Sequence, residues 1–295
     1  MKIIILDTET TGTLQEDRIC QLSYLVVDTS GNILEVHDDL CTPPLAIKYE
    51  SMAVHHITPQ MIINKPICVD TTAFKRLNEL NTNQNLMVIQ NAKFDLDMLA
   101  KEGFEFKMQL IDTFRVLRAK YPLDGTSHGL QYKRYQWGLY EKEQEIIDKL
   151  GVTINAHDAL GDVIVLKNLF DKLVGEISID AMIKLCNKPI LLEYMPMGKF
   201  KGKQIREIAL NERDTLNYML SKMDLDEDIV YSFNHHLEAT AANVVITFGF
   251  GKYKGKTPQE IAQEDQNYLF WARDKAQNIS KELRAAIEIA LAEMI

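Results

Sequence analysis

The sequence has few cysteines and no long apolar run. Its 295 residues include only 4 cysteines, and no two of them form a Cys-x-x-Cys pair. Because structural zinc sites need clustered Cys and His at fixed spacing, the sequence argues against one. Scattered thiols are typical of a reducing compartment, and no apolar run reaches the roughly 18 residues of a membrane span. We therefore expect a cytoplasmic protein with free thiols.

Proline and glycine are also scarce, with 8 and 14 copies, and the charge is not basic. Hydrophobic residues make up 46% of the chain, enough for a real core, and the length predicts about two folded units. The net charge of −9 argues against a generic nucleic-acid coat protein, because such proteins are usually basic. It does not exclude a nucleic-acid enzyme, since carboxylates gathered around metal ions are themselves negative.

The first part of the chain predicts an α/β fold. Early strands joined by a short turn, followed by alternating helix and strand, indicate a mixed sheet with helices on its faces. Strands are predicted at residues 2–6, 19–28, 33–40 and 86–90, and a short fifth strand ends at Asp112. Helices are predicted near residues 71–80, 93–101 and 158–173.

The last third of the chain contains an internal repeat. Gly198-Lys-Phe-Lys-Gly-Lys203 recurs 53 positions later as Gly251-Lys-Tyr-Lys-Gly-Lys256, and an Ile-Ala pair follows each copy at the same offset. Register kept over some twenty positions predicts a duplicated small α+β module. The predicted units are a first domain at 1–177, a first module copy at 194–240 and a second copy at 244–295.

Four carboxylates and one histidine are candidates for binding divalent cations and accepting a proton. Asp7 and Glu9 end the first strand, and strand alternation directs both side chains to one face, about 7 Å apart. Asp95 opens a helix directly after a strand, and Asp162 lies on a helix whose other face is apolar. Carboxylates suit hard divalent cations, and His157, five residues before Asp162, suits a proton acceptor near neutral pH. Taken singly, each has an ordinary explanation as a solvated strand end, a helix-start carboxylate or a surface histidine.

In chain order, the motifs D-x-E, N-x-x-F-D and H-x4-D resemble the DEDDh exonucleases of the DnaQ-like superfamily, which have a ribonuclease H-like fold with a five-stranded mixed sheet. The match covers roughly residues 1–175. It fills all five signature positions: Asp7, Glu9, Asp95, His157 and Asp162. The segment 54–58 resembles the family's His-x-Ile-Thr segment of the terminal-nucleotide pocket, with the family histidine on His55. Gln90 departs from the histidine that many members have there, outside the metal ligands.

This resemblance implies a metal-dependent 3′→5′ exonuclease. Two Mg²⁺ ions per site, replaceable by Mn²⁺, would be held by the four carboxylates, and His157 would accept a proton from the attacking water. The resemblance also implies contacts with the terminal nucleotide from Thr10, Thr11, Gly12, His55, Asn91 and Phe94. The expected partner is DNA, at 3′ ends that are single-stranded or frayed. Family members often form homodimers, and the sequence leaves the oligomeric state open.

The second copy, from Thr247 through Trp271, resembles the C-terminal module of exodeoxyribonuclease X-like proteins, which favours DNA as substrate and a role in repair or proofreading. Each glycine-bounded loop has two interpretations. Its lysines could neutralise phosphates while its ring stacks on a base, or the lysines could be solvated on a β-hairpin with Phe200 and Tyr253 packed inward. The candidate nucleic-acid contacts are Lys199, Lys201, Lys203, Lys252, Lys254 and Lys256.

Other functions stay open on sequence grounds. An exoribonuclease of the oligoribonuclease type shares this scaffold, because sugar discrimination depends on a few contacts around the 2′ position. A non-catalytic protein that binds nucleic-acid ends would keep the fold and release no mononucleotide. The acidic set argues against it, since buried carboxylates are costly without a cation. A proofreading subunit docked on a polymerase is a further alternative, although no segment identifies a partner.

Overall fold

The computed structural model describes residues 1–122, 127–152, 158–241, 246–276 and 279–293. The chain divides into two units. The first comprises Met1–Gly202 and Asp226–Ser232, and the second comprises Lys203–Leu225 and Phe233–Ile295. The residues predicted as the first module copy are therefore shared between the two units. The three predicted boundaries stay predictions.

One mixed sheet organises the first unit. Its strands are β1 (Ile3–Thr10), β2 (Ile19–Val27), β3 (Ile33–Leu40), β4 (Leu86–Ile89) and β5 (Gln109–Asp112). They lie in the order β3-β2-β1-β4-β5. The pairs β1–β2 and β2–β3 are antiparallel, whereas β1–β4 and β4–β5 are parallel. The predicted five-stranded mixed sheet is confirmed, and β1, at its centre, ends where the first two candidate carboxylates stand.

Helices precede and follow the last two strands. The helices that begin before residue 190 are α1 (Tyr49–His55), α2 (Pro59–Ile62), α3 (Thr72–Leu80), α4 (Lys93–Lys101), α5 (Thr113–Lys120), α6 (Leu130–Gln136), α7 (Glu143–Leu150), α8 (Ala159–Val174) and α9 (Ile179–Cys186). Short 3₁₀ turns occur at Cys68–Asp70 and Leu139–Lys142. Among the described helices of the whole chain, none is long and apolar enough to cross a membrane.

The alternation of β1 divides the core into two layers. Ile3 and Ile5 pack into an apolar cluster with α8, whereas Ile4 and Leu6 pack into a second cluster with α3 and α4. Burial of each such side chain contributes roughly 1.5–3 kcal/mol, so the register of β1 is strongly specified. Continuing the same alternation, Asp7 and Glu9 fall on the α8 side of the sheet, and Thr8 falls on the α4 side.

The C-terminal region is helical. Its helices are α10 (Ile205–Asn211), α11 (Arg213–Lys222), α12 (Glu227–Thr240), α13 (Pro258–Glu264), α14 (Gln266–Lys275) and α15 (Lys281–Ala292), and a 3₁₀ turn covers Gly198–Phe200. In the described residues from 194 onward no strand longer than a single bridging residue occurs, so the α+β expectation was wrong for them. The physical reason lies in the glycine loops, whose backbone turns back on itself instead of extending.

The two glycine loops have matching backbones. Gly198 and Gly202 adopt positive φ angles of 67° and 82°, and their counterparts Gly251 and Gly255 adopt 71° and 87°. Left-handed backbone of this kind favours glycine, because other residues are strained there. Each loop is closed by an equivalent hydrogen bond, from Gly202 N–H to the Met195 carbonyl (2.8 Å) and from Gly255 N–H to the Phe248 carbonyl (2.7 Å). The match supports the interpretation of a duplicated module, which stays a prediction.

Candidate active site

Two carboxylates lie side by side at the end of β1. Asp7 is paired in register with Ser23 of β2, and Glu9 with Gln21. Ser23 and Gln21 are buried, whereas Asp7 and Glu9 are partly exposed. The sheet therefore holds two half-buried carboxylates on the face that α8 covers.

A third carboxylate reaches the same strand from the opposite layer. Asp95, buried in the first turn of α4, accepts hydrogen bonds from the Thr8 backbone N–H (3.1 Å) and the Thr8 hydroxyl (2.7 Å) through the same oxygen. Because Thr8 stands between Asp7 and Glu9, these bonds hold Asp95 at the edge where the first two carboxylates emerge. The two bonds from Thr8 thus bring together residues that are 87 positions apart in the chain.

The fourth carboxylate, Asp162, lies in the first turn of α8. It accepts a hydrogen bond from the Gln131 side-chain amide of α6. The negative charge of Asp162 raises the pKa of both Asp7 and Glu9, so it lies within electrostatic reach of both. The structure thus brings four of the five predicted signature residues to one end of the sheet. The fifth, His157, lies outside the described residues.

Burial and neighbouring negative charge together raise the pKa values of the carboxyl groups at this site. Burial, followed by the charges of Asp162 and Asp95, raises the pKa of Glu9 to about 8. Burial also raises the pKa of Asp95 to about 7, although its hydrogen bonds from Thr8 act in the opposite direction. The pKa of Asp7 is raised well above its usual range, first by burial and then by the neighbouring carboxylates. Like charges placed this close favour protonation or the arrival of a cation.

A divalent cation fits this donor set. In the described part of the chain, no lysine or arginine forms an ion pair with Asp7, Glu9 or Asp95, although other acids such as Asp17 have such partners. Carboxylate oxygens are the ligands that Mg²⁺ and Mn²⁺ prefer. Among the described residues, however, no three His, Cys, Asp or Glu side chains are gathered closely enough to form a ready ligand set.

A buried polar network lies beside the carboxylates, and the sequence analysis missed it. The Gln21 amide donates to Asp38 (2.8 Å) and to Asp158 (2.6 Å), and the Ser23 hydroxyl donates to Asp38 (2.6 Å). Asp158 is the N-cap of α8 and immediately follows His157 in the chain. The network therefore ties the start of α8 to β2. Its signal was present in the sequence as two polar residues, Gln21 and Ser23, inside an otherwise apolar strand.

A cavity of about 610 Å³ opens next to Glu9. Four residues predicted to contact the terminal nucleotide line it: Thr10, Gly12, His55 and Phe94. Its wall also includes Leu14, Lys48, Ser51 and Val54, which the sequence analysis did not identify. A cavity of this size can hold a small ligand, and it lies directly beside the carboxylates.

His55 holds one wall of this cavity in place. Its Nδ1 accepts from the Ile57 N–H (3.0 Å), so Nε2 carries the proton and faces the Thr10 carbonyl at 3.2 Å. Burial lowers the pKa of His55 despite the opposing bond to Thr10, and the ring is therefore neutral at physiological pH. The neighbouring His56 is exposed and adopts a left-handed φ of 61° where α1 ends.

The loop after β1 is held by an ion pair between the buried Asp17 and the partly exposed Lys48. Asp17 accepts from the Lys48 ammonium (2.6 Å) and the Thr11 hydroxyl (2.8 Å). Burial alone would raise the pKa of Asp17, but hydrogen bonds from Lys48, Leu14 and Thr11 lower it. A Cβ at Gly12 would collide with the Asp17 carboxylate, so glycine is required for this close approach. The Thr11 side chain is buried in this contact and does not line the cavity, and the predicted contact of Thr11 with the terminal nucleotide stays a prediction.

Asn91 is the predicted site residue that the structure places elsewhere. It has a left-handed φ of 63°, and the Asp112 carboxylate accepts from the Asn91 and Ala92 N–H groups, each at 3.0 Å. Asn91 lines a different cavity, of about 340 Å³, together with Asp112 and Arg115. Gln90, the departure from the family pattern, donates to the His128 carbonyl at 2.7 Å. Both residues shape the turn that leads into α4 and Asp95.

The candidate lysine contacts are only partly available. Lys252 pairs with Asp265 (2.8 Å) and Lys256 with Glu264 (2.6 Å), while Tyr253 packs against the core of its module. In the first loop, the Lys199 ammonium lies 4.5 Å from the centre of the Phe200 ring. Lys201, Lys203 and Lys254 are exposed. The second loop therefore fits the interpretation in which Tyr253 packs inward.

The mixed sheet and the carboxylates at the end of β1, on α4 and on α8 define a ribonuclease H-like nuclease scaffold. The chain belongs to the Exonuclease family, whose model matches residues 4–170. A second model, described as Exodeoxyribonuclease X-like C-terminal, matches residues 248–277. Both matches agree with the resemblances found in the sequence.

Among curated proteins, the chain is similar to DNA polymerase III subunit epsilon of Treponema pallidum (strain Nichols), with 31% identity over 177 residues, 57% of this chain and 74% of that protein. It is also similar to exodeoxyribonuclease 10 of Escherichia coli (strain K12), with 26% identity over 80% of this chain and 99% of that protein. A solved structure of exonuclease X in complex with 5′ overhanging duplex DNA shares 21% identity over 62% of this chain and 98% of that chain, with a TM-score of 0.44.

The raised carboxylate pKa values predict a stability loss at alkaline pH in metal-free protein. Unfolded Asp and Glu ionise near pH 4, whereas the folded pKa is about 8 for Glu9 and about 7 for Asp95. Between these values the folded state holds protons that the unfolded state has lost, so the free energy of unfolding falls as pH rises. We expect the Tm in EDTA to be about 5 °C or more lower at pH 8 than at pH 5.5.

The control for this prediction is the double variant Asp7→Asn, Glu9→Gln, in which the fall of Tm should flatten. Mg²⁺ should raise the Tm of the unaltered chain more at pH 8 than at pH 5.5. Scanning fluorimetry at four pH values, with and without EDTA, measures all three. A Tm in EDTA that rises toward pH 8 would contradict the crowding of charge described above.

Proposed function

We propose that this protein is a metal-dependent 3′→5′ exonuclease that releases nucleoside 5′-monophosphates from DNA. The observation that carries the proposal is the group of Asp7, Glu9 and Asp95 around Thr8, which form no ion pair with a described lysine or arginine, next to a cavity of about 610 Å³. A nucleic-acid terminus in that cavity would place its last phosphodiester beside Asp7 and Glu9. Membership in the Exonuclease family supports the same reaction class.

Asp7, Glu9, Asp95 and Asp162 would hold the metal ions, as the family resemblance implies. When bound, two divalent ions supply an activated water and stabilisation of the leaving 3′ oxygen. The protein's part is to keep the carboxylates converged. Thr8 holds Asp95, Gln131 bonds Asp162, and β-sheet register fixes Asp7 and Glu9.

His157 is proposed as the proton acceptor, from its position in the H-x4-D motif. The buried network around Gln21 supports the proposal, because it holds Asp158, the next residue in the chain. Proton transfer by a positioned side chain contributes roughly 10²–10⁴-fold to rate.

The terminal nucleotide would occupy the cavity between α1 and the loop after β1. The His55 imidazole fixes the Thr10 carbonyl, and the bond from Thr11 to Asp17 holds the loop beyond it. Phe94, at the start of α4, contributes an aromatic wall on which a base could stack. Because this wall is largely backbone and apolar surface, we infer little selectivity between bases.

DNA is the proposed substrate, with repair or proofreading as the role. The support comes from the relatives named DNA polymerase III subunit epsilon and exodeoxyribonuclease 10, and from the C-terminal family match. An exoribonuclease activity on the same scaffold is the competing assignment, since the site residues are shared between both activities.

The experiment is a time course on 5′-labelled single-stranded DNA and RNA of matched sequence. With Mg²⁺, we expect the DNA label to move through a ladder of products shortened from the 3′ end, with nucleoside 5′-monophosphates released. With EDTA, the ladder should vanish, because the carboxylates alone cannot activate water. Mn²⁺ should restore it.

Each deviation from this result has a defined meaning. Faster decay of RNA would move the assignment to an exoribonuclease. A 3′-labelled strand that loses its label last would reverse the polarity. Absence of cleavage with every divalent ion, together with retained binding of DNA ends, would overturn the enzymatic proposal in favour of an end-binding protein.

A further inference from the structure

The second module contains a group of aromatic rings that extends from its core to its surface. Phe248 is fully buried, and its ring lies 5.5 Å from Phe250 and 5.6 Å from Tyr268. The Tyr268 ring lies 5.3 Å from Trp271. Phe250 and Trp271 remain 36% and 47% exposed. We call Phe250, Tyr268 and Trp271 the aromatic surface.

The aromatic surface is held rigidly by the glycine loop. A Cβ at Gly251 would collide with the Tyr268 hydroxyl, so the loop packs directly on this ring. Tyr253, on the same loop, packs edge-on against Tyr268 with ring centres 5.0 Å apart. The exposed rings therefore need little ordering when a planar ligand arrives, which lowers the entropic cost of binding.

The glycine loop and α14, which carry these rings, also carry positive charge. Lys254 is exposed and forms no ion pair among the described residues, whereas Lys252 and Lys256 of the same loop are paired with Asp265 and Glu264. On α14, the Arg273 guanidinium pairs with Asp274 (2.7 Å) and lies 5.3 Å from the centre of the 43% exposed Phe270 ring. Rings that can stack on bases, next to cations that can pair with phosphates, form the combination by which proteins bind single strands without sequence preference.

The first glycine loop provides an internal comparison, because its backbone is the same and its rings are not. Met195, Met197, Thr215 and Asn217 stand 53 positions before Phe248, Phe250, Tyr268 and Phe270. A Cβ at Gly198 would meet nothing within 4 Å, so no ring is packed there as Tyr268 is packed on Gly251. Tyr218, the counterpart of Trp271, is 63% exposed, and within the described residues no aromatic ring packs against it.

We infer that the aromatic surface of the second module binds single-stranded nucleic acid by base stacking, while the first loop has no such role. The inference rests on the proposed nuclease function for the identity of the strand, namely the DNA that the enzyme degrades. Phe250 and Trp271 take up bases, and Lys254 neutralises a phosphate between them. The surface thereby retains the strand between successive cleavages.

The test uses the full chain and a fluorescein-labelled dT30 strand in EDTA, which prevents hydrolysis. Trp271→Ala and Phe250→Ala should each weaken binding, measured by anisotropy, by about 5-fold or more, as expected for loss of one stacked base. Trp271→Phe keeps a ring and should retain most of the affinity. Tyr218→Ala is the matched control at the equivalent position of the first copy and should bind like the unaltered chain.

Tryptophan fluorescence adds a direct readout, because the chain has 2 tryptophans, Trp137 and Trp271. In Trp137→Phe, whose remaining indole is Trp271, dT30 should quench the emission. All variants should hydrolyse the p-nitrophenyl ester of thymidine 5′-monophosphate at unchanged rates, because hydrolysis of this one-nucleotide substrate needs only the proposed active site.

The outcomes separate this inference from the proposed function. Loss of dT30 affinity in Trp271→Ala, in a chain that hydrolyses nothing, would support the aromatic surface and overturn the exonuclease. Unchanged affinity in Trp271→Ala and Phe250→Ala, with no quenching, would overturn the aromatic surface even where hydrolysis is normal. Unchanged dT30 affinity with loss of self-association in Trp271→Ala, seen by sedimentation, would overturn it in favour of a contact between copies of this chain.

Discussion

Asp7→Asn is expected to lower the kcat of DNA hydrolysis by about 1000-fold or more while the protein stays folded. Asp7 is central to the carboxylate group, since the charges of Asp95, Asp162 and Glu9 all act on it. Asparagine has the same shape, but it removes the negative charge that a metal ion needs. Loss of several kcal/mol of transition-state stabilisation corresponds to this factor. Steady-state release of nucleotide from labelled DNA measures it.

The same variant should gain stability in EDTA. Because folding raises the pKa of Asp7, its ionised form opposes folding near neutral pH, and removing the charge should raise the Tm at pH 8 by a few degrees. Asp97→Asn, an exposed carboxylate on α4 paired with Lys93, is the matched control and should change neither quantity appreciably. Full activity in Asp7→Asn would refute the site assignment, and unfolding at pH 8 would refute its electrostatic description.

His157→Gln is expected to lower kcat by roughly 10²–10⁴-fold with little change in KM, because it removes the proposed proton acceptor and not a binding contact. A plot of log kcat against pH should also change. In the unaltered enzyme, log kcat should rise with pH as an essential histidine loses its proton. In the variant, this rising part of the pH profile should disappear.

His56→Gln is the control for this variant. His56 is exposed next to the cavity residue His55, so its replacement tests a histidine near the substrate that has no proposed chemical role. It should retain both kcat and the pH profile. A His157→Gln enzyme with an intact rising part of the pH profile would assign that part to another group and exclude His157 as the base.

The sheet was predictable from the sequence because its strands have strong local signals. Apolar runs predicted β1 and β2, the turn at residues 29–32 predicted an antiparallel hairpin of β2 and β3, and β4 follows the expected pattern of a buried parallel strand. The convergence of Asp7, Asp95 and Asp162 could not be predicted from spacing and periodicity. Spacing alone made each of them an ordinary acid, and the resemblance to a family supplied their grouping.

What the sequence did not reveal depends on register and on loop packing. Gln21 reaches Asp38 because the antiparallel pairing of β2 with β3 places Asp38 opposite Ser23, and it reaches Asp158 because the start of α8 packs on this face of the sheet. Lys48 forms an ion pair with Asp17, which lies 31 positions earlier in the chain, and no local sequence pattern predicts such a pair. The prediction of an α+β module was also wrong because of loop packing. The glycine loops look like β-hairpins in the sequence, but each folds into a tight turn closed by its own backbone hydrogen bond.

The bond between Thr8 and Asp95 has a consequence for how the activity arises during synthesis. The four carboxylates lie between positions 7 and 162, and they meet only after α4 and α8 have packed on opposite faces of β1. A chain still emerging from the ribosome therefore contains Asp7 and Glu9 without a working site. Under the proposed function, the protein therefore could not degrade nucleic acid near the ribosome until the chain through α8 has been made and folded.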